Sequence, residues 1–438
     1  MSLASSLRQL PRSLRTSSRL NCFLRTGPKL VVPPHARAMA SGSGYPVASA
    51  RKVEATAQHL APNGMKVNHW ETPGTAAFDF RSDTITTPTA SMLTAIAATT
   101  LFDDVFQEDP TTNGLQQFVA ELTGKPDALL VMSGTMGNQI AIRAHLGAPP
   151  HSVLCDHRAH IIGSEAGGVA SLCGAMVQGV VPSNGKYLTL EDVKKAAVLD
   201  EDIHSCPTKL ISLENTLGGT IMPLEECQRI GEWAREHGII MHLDGARLWE
   251  AAAAGAGSLK DYCDAFDSVQ LCFSKGLGAP IGSIIVGTEK FVQRSRWIRK
   301  SIGGGIRMAG VISSAARTSV EETFLSGKLE QTHRNAKRIA GTWEKLGGKL
   351  SMPVETNMVW LDLEKAGMSA DDLIVRAQEK GLRLGGGRLV AHYQICEEAI
   401  GRLEELMRDI LQGKKRKVSM EEKDAAEIKP KQMKLDKE

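Results

Sequence analysis

The chain has 438 residues, 42% hydrophobic and 23% charged, which excludes collagen-like, wholly disordered and disulfide-stapled miniature folds. At roughly 150 residues per domain it has room for two or three domains, and no apolar run approaches the roughly 20 residues of a membrane helix. The net charge of +3 is uneven: residues 1–53 carry nine Lys/Arg and no acid, residues 414–438 nine Lys/Arg and six acids, and the body between them 34 basic against 43 acidic residues. A mildly acidic body does not suggest nucleic acid as a partner.

The first 45 residues are rich in Ser and Leu around Arg8, Arg12, Arg15, Arg19 and Arg25, with no acid before Glu54. This is the composition of a mitochondrial presequence, without the continuous apolar centre of a secretory signal. A solvated tail has the same composition, so the expected compartment is mitochondrial or cytoplasmic. Residues 1–45 are set aside from the fold.

From Phe78 short apolar runs alternate with amphipathic stretches. Strands are expected at Ala128–Met132, Ser152–Cys155, Lys209–Leu213, Ile239–Leu243, Ser268–Phe273 and Ser283–Val286. Helices are expected at Gln139–Leu146 and at Leu224–His237, the latter between Pro223 and a closing Gly238. Alternation at this spacing predicts an α/β fold around a mostly parallel sheet, spanning 78–325. Past Ser326 the pattern predicts a long helix at Glu321–Leu346, a run at Met358–Leu363, a helix at Asp371–Lys380, a Gly-rich turn and a last helix at Glu397–Leu411. These make a small α+β domain over 326–412, set against the large one across a cleft.

Residues 413–438 have too little apolar content to order themselves. Lys414–Val418 reads KKRKV, a charged tail or a nuclear address. Of the eight cysteines (Cys22, Cys155, Cys173, Cys206, Cys227, Cys263, Cys272, Cys396) none forms a CxxC pair or a zinc-like spacing. They read as small core residues in a reducing compartment, and no metal site is expected.

Three segments carry chemistry. In Phe273–Gly282, Lys275 follows a hydrophobic strand and enters a Gly-rich turn, where desolvation favours the neutral, nucleophilic amine of a Schiff-base lysine. A surface loop lysine is the plainer alternative. In Met241–Trp249, Asp244 ends another strand, placed to partner a pyridinium nitrogen or simply to cap the next helix, with Arg247 three residues on. In Met132–Asn138, Gly134 and Thr135 open a helix whose N–H groups can cradle a phosphate. Phosphate cup, acidic ring partner and amine, in order on three strand ends, point to a pyridoxal 5′-phosphate enzyme.

FRSDTITTPT, LFDDVFQEDPTTNGLQ, MSGTMGNQIAIRAH, DHRAHIIGSEAGG, LENTLGGTI, HLDGARLWEAA and FSKGLGAPIGS, running from about Phe78 to Leu411, closely resemble the threonine aldolase family. These are pyridoxal phosphate lyases of fold type I, the aspartate aminotransferase-like architecture. The resemblance implies that Lys275 carries the cofactor, Asp244 holds its ring nitrogen, and Gly134 and Thr135 its phosphate. It implies that Arg247 reaches the ring oxygen or the substrate carboxylate, and that His160 stacks on the ring and moves protons. Ser82 and Arg388 would bind the substrate carboxylate, and Arg307 a neighbouring subunit's phosphate in a homotetramer. The implied reaction cleaves L-threonine or L-allo-threonine to glycine and acetaldehyde.

The sequence departs from the family at Leu217 (often histidine), Ser164 (often tyrosine or histidine), Met308 (glutamine), Ala391 (threonine) and Gln394 (aspartate). These departures cluster where the substrate side chain would be read. A racemase of alanine or another small amino acid on the same scaffold, and a non-catalytic scaffold protein, are the rival readings.

Overall fold

A computed structural model describes residues 70–200 and 202–412. The presequence-like segment, the charged tail with its KKRKV run, and Cys22 lie outside the described residues. Among the described residues no helix is long and apolar enough to cross a membrane.

Seven strands form one sheet: β1 (Asp127–Val131), β2 (Ser152–Asp156), β3 (Met176–Val180), β4 (Thr208–Glu214), β5 (Ile240–Gly245), β6 (Ser268–Cys272) and β7 (Ser283–Gly287), in the order β1-β7-β6-β5-β4-β2-β3. Only β7 runs antiparallel to its neighbours. Strands β2, β6 and β7 are buried along their whole length, as a mostly parallel sheet covered on both faces requires, so they read as largely apolar runs. Six strands were expected within a residue or two. β3 was not, because it is a half-exposed edge strand with Gln178 and Gly179 in its middle and no apolar signature.

The helix expected at Gln139–Leu146 begins earlier, at Gly134, because Ser133 caps it: its Oγ accepts the Met136 N–H at 3.1 Å. The long helix expected at Glu321–Leu346 is divided. A wide turn at Val320–Phe324 extends the preceding helix, Gly310–Ser319, and Gly327 at φ +78° breaks the chain before helix Lys328–Lys345.

The largest core packs β1, β4, β5, β6 and β7 against helices Pro110–Thr123 and Leu224–Glu236, with Trp249, Tyr262 and Phe273 as its bulkiest members. A second core gathers Trp343, Leu361, Leu373, Leu389, Leu403 and Ile410, around the two-stranded sheet β8 (Met358–Trp360) and β9 (Arg388–Val390). Phe80 belongs to this second core, stitched by Phe80 N–H to the Arg383 carbonyl at 2.9 Å and Val390 N–H to the Phe80 carbonyl at 2.8 Å. The chain just ahead of Ser82 is thus fastened to the C-terminal part of the molecule.

Candidate active site

Parallel strands put their carboxyl ends on one edge, where an α/β sheet holds its ligands. Here β1 delivers Gly134 and Thr135, β2 His160, β4 Glu214, β5 Asp244, and β6 Lys275 to that edge. Glu214 and Asp244 are register partners on adjacent strands, so their side chains share a face.

Lys275 is half-buried. It lies near enough to Asp83, His160 and Glu214 to interact electrostatically with each. Its loop is pinned by Thr86 Oγ1 and Gly278 N–H, each donating to the Lys275 carbonyl at 3.0 Å. Asp244 is buried; its Oδ2 accepts from Asn138 Nδ2 at 2.8 Å and its Oδ1 from the Ala246 N–H at 3.1 Å.

His160 sits on the exposed side of this group, its ring 41% exposed. Its backbone N–H donates to Glu214 Oε2 at 2.9 Å and its Nδ1–H to Glu165 Oε1 at 2.8 Å. The Glu165 hydrogen bond pushes the imidazole up from its ordinary range. Glu165 is satisfied on both oxygens, by Asn138 Nδ2 at 2.8 Å and Gln139 Nε2 at 2.6 Å. Burial, and then the nearby Asp244 charge, push the Glu214 carboxyl up to about 8. Atoms of His160, Glu165 and Asp244 lie within 4.8 Å of one another, but the Asn138 amide already bridges the two carboxylates.

The Gly134 and Thr135 N–H groups fall in the first turn, which has no intrahelical acceptors for them. A Cβ on Gly134 would come 2.9 Å from Cys272 Sγ, so only glycine lets this helix end approach β6 so closely.

The sequence matches the beta-eliminating lyase family over residues 79–366. It is 62% identical over 345 residues to aldolase vrtJ of Penicillium aethiopicum, covering 79% of this chain and 89% of that relative. This chain belongs to the beta-eliminating lyase family. It is also 46% identical to alanine racemase TOXG of Cochliobolus carbonum (78% and 90% covered) and 47% identical to the low-specificity L-threonine aldolase of Candida albicans (76% and 90% covered). A solved threonine aldolase of Leishmania major superposes with a TM-score of 0.67 at 20% identity, covering 76% of this chain and 99% of that one. The fold is type I of the pyridoxal phosphate enzymes.

Membership makes pyridoxal 5′-phosphate the cofactor of this lyase. The donor set fits it: a half-buried amine, a buried carboxylate at a neighbouring strand end, and a helix N-terminus free to take a phosphate, all on one edge.

The remaining expected residues are placed less centrally. Arg247 spends Nε and Nη2 on Asp83, at 2.7 and 2.5 Å, which leaves Nη1 for the role the resemblance gives it. Ser82 Oγ accepts from Thr84 N–H and Thr84 Oγ1 at 3.2 and 2.9 Å. Arg388 lies in β9 and donates from Nη2 to the Arg81 carbonyl at 3.0 Å, which brings it beside Ser82. Arg307 is 75% exposed, its Nε 3.2 Å from Asp103 Oδ2.

Of the divergent positions, Leu217 is half-buried in a tight turn paired with Thr220, Ser164 and Met308 are exposed, and Ala391 is buried. Gln394 uses both ends of its amide on the Thr87 backbone, at 2.9 and 2.8 Å, and so anchors the Ser82 segment.

Sequence reasoning missed Asp83, Asn138, Glu165, Glu214 and His242. All lie inside the motifs that carried the resemblance. Their signal was a polar residue amid apolar neighbours, most plainly His242 in Ile239–Leu243, since a buried polar group must have a partner.

Proposed function

We propose that this protein cleaves L-threonine and L-allo-threonine to glycine and acetaldehyde. The observation that carries the reading is the juxtaposition of an anchored base, His160, with Lys275 and Asp244 on one sheet edge. Bound there, the cofactor supplies an electron sink for the carbon–carbon bond broken at Cα.

Lys275 would hold the cofactor through its amine, Asp244 its ring nitrogen, and the Gly134 and Thr135 N–H groups its phosphate. Ser82 and Arg388, drawn together by the Arg81 carbonyl, would hold the substrate carboxylate and so fix the orientation of the scissile bond. Glu165 keeps a proton on His160 Nδ1, which leaves Nε2 as the basic atom to take the β-hydroxyl proton. With Leu217 at the position where many relatives carry histidine, His160 is the base this chain offers.

A homotetramer completes the reading. Phe102 (55% exposed), Phe106 (73%) and Trp297 (74%) are large apolar side chains on the surface, and Arg307 is tied through Asp103 to the Phe102–Phe106 segment. Sedimentation at four times 47.2 kDa supports this; a monomer at working concentration overturns it.

A second reading, racemisation of a small amino acid, is favoured by the similarity to the Cochliobolus carbonum enzyme. One experiment separates them: the cofactor-loaded protein is given L-threonine, L-allo-threonine and L-alanine. Acetaldehyde and glycine, lost in Lys275→Ala, support the aldolase; D-alanine without acetaldehyde replaces it with the racemase.

A further inference from the structure

A chain of hydrogen bonds runs behind Asp244 through the interface between sheet and helix. His242 and Asp244 alternate on β5 and so point to one face; Ser268 is the register partner of His242 on β6. Helix Gly134–His145 covers that face, and Asn138 and His145, seven residues apart, lie on the same side of it. Asn138 Oδ1 lies 3.2 Å from His242 Nε2; His242 Nδ1 lies 2.8 Å from Ser268 Oγ, which lies 2.8 Å from His145 Nε2. Asn138, His242, Ser268 and Asp244 are all nearly inaccessible to solvent.

The proton arrangement follows from the partners. Two carboxylates, Glu165 and Asp244, take the Asn138 amide N–H groups, so its oxygen faces His242. His242 Nε2 must therefore carry a hydrogen. Burial pushes His242 down to about 3 and His145 down to about 4, so both rings are neutral. A neutral His242 accepts at Nδ1 from the Ser268 hydroxyl, and Ser268 Oγ accepts from the His145 Nε2–H. Every donor points towards Asp244, with its positive end on the site.

We infer that Asn138, oriented by His242, Ser268 and His145, is a positioning residue that fixes the Asp244 carboxylate and couples it to the His160–Glu165 pair. This rests on the cofactor reading above. The His242 N–H completes the hold on the Asn138 amide that the two carboxylates begin, and the amide holds Asp244 and Glu165 in a fixed spacing. Glu214 on β4, His160 and Lys275 are the other titratable groups facing this pair.

The test uses the cofactor-loaded enzyme and follows the pH at which its visible absorbance band titrates, beside kcat and KM for L-threonine. Deleting the chain removes positive dipole ends from the site, so Asn138→Asp and His242→Leu should raise the band midpoint by about one unit, the scale of a hydrogen bond to a charged group. Both should lower kcat about tenfold or more while KM for L-threonine stays within about threefold, since Asp244 and the His160–Glu165 pair are disturbed but Ser82 and Arg388 are not. His242→Gln, which keeps a donor aimed at Asn138, should restore the wild-type midpoint. An unmoved midpoint and unchanged kcat per loaded site in a merely heat-labile variant would overturn the proposal. Failure of the wild type to cleave threonine would instead remove the aldolase reading, with the band midpoint still deciding the role of Asn138.

Discussion

The carboxylate of Asp83 and the guanidinium of Arg247 are joined by two hydrogen bonds, at 2.7 and 2.5 Å, across a separation of 164 residues. Asp83 is fully buried and also lies 3.5 Å from Asn357 Nδ2. The pair ties the segment that carries Ser82, itself fastened to the second core through Phe80, to the turn after β5 that carries Asp244. Site residues drawn from two cores are held in one arrangement by this pair.

Burial alone would push the Asp83 carboxyl up; the charge and hydrogen bonds of Arg247 more than offset it and hold it at about 2, from an ordinary 3.8. A carboxyl held down contributes stability that is fully present above its unfolded value and is lost as pH falls from about 4 towards 2. Asp83→Asn leaves the Arg247 charge buried and unpaired, which should cost about 3 kcal/mol or more at pH 7. Urea unfolding at pH 7 reads the loss. A variant as stable as the wild type would mean that solvent already screens the guanidinium.

The activity profile depends on His160. A base must be unprotonated, so activity falls on the acid side as pH drops through its value, which Glu165 places above 6.5. Glu165→Gln removes the anionic acceptor and should move the acid limb of kcat/KM to lower pH, while kcat at the optimum falls. A limb that stays in place would assign it to another group, with Glu214 the next candidate.

The sheet and the three chemical segments were legible in the sequence because buried parallel strands are apolar runs and glycines mark their ends. Lys275, Asp244, Gly134 and Thr135 all stand at strand ends for that reason. The partners were less legible. Asn138 and Glu214 act through contacts 27 to 106 residues away in sequence, and no local pattern encodes such a separation; Glu165 reaches His160 across five residues but Asn138 across 27. The edge strand β3 was hidden by its exposure, and the break at Gly327 by helical residues on both sides.

Acid stability should report the buried histidines. His145 and His242 are held down at about 4 and about 3 from an ordinary 6.5, so the unfolded chain takes up protons that the folded chain refuses. Stability is fully present above about 6.5 and is lost as pH falls towards 4 and then 3, by at most about 1.4 kcal/mol per pH unit for each ring. His145→Gln keeps a donor for Ser268 but does not titrate, so its urea midpoint should vary less between pH 6.5 and 4. An equal slope in both proteins would mean that His145 protonates in the native state.

Two glycines beside Lys275 should tolerate substitution unequally. A Cβ on Gly276 would come 2.6 Å from Glu250 Oε1, and Glu250 is held in place by His333 Nε2 at 2.7 Å, so it cannot swing away freely. Gly278 combines a φ of +88° with a Cβ position 2.2 Å from the Tyr393 hydroxyl. Overpacking costs about 1–3 kcal/mol and a strained backbone adds about 1–2 more, so Gly278→Ala should lower the melting temperature further than Gly276→Ala. Both should weaken retention of the cofactor on dialysis, because the Lys275 carbonyl accepts from the Gly278 N–H, so a shift of this turn displaces Lys275. Adding Tyr393→Phe removes the obstructing oxygen but not the φ, so it should recover only part of the Gly278→Ala loss. Full recovery would show that space alone, and not the left-handed backbone, makes this position a glycine.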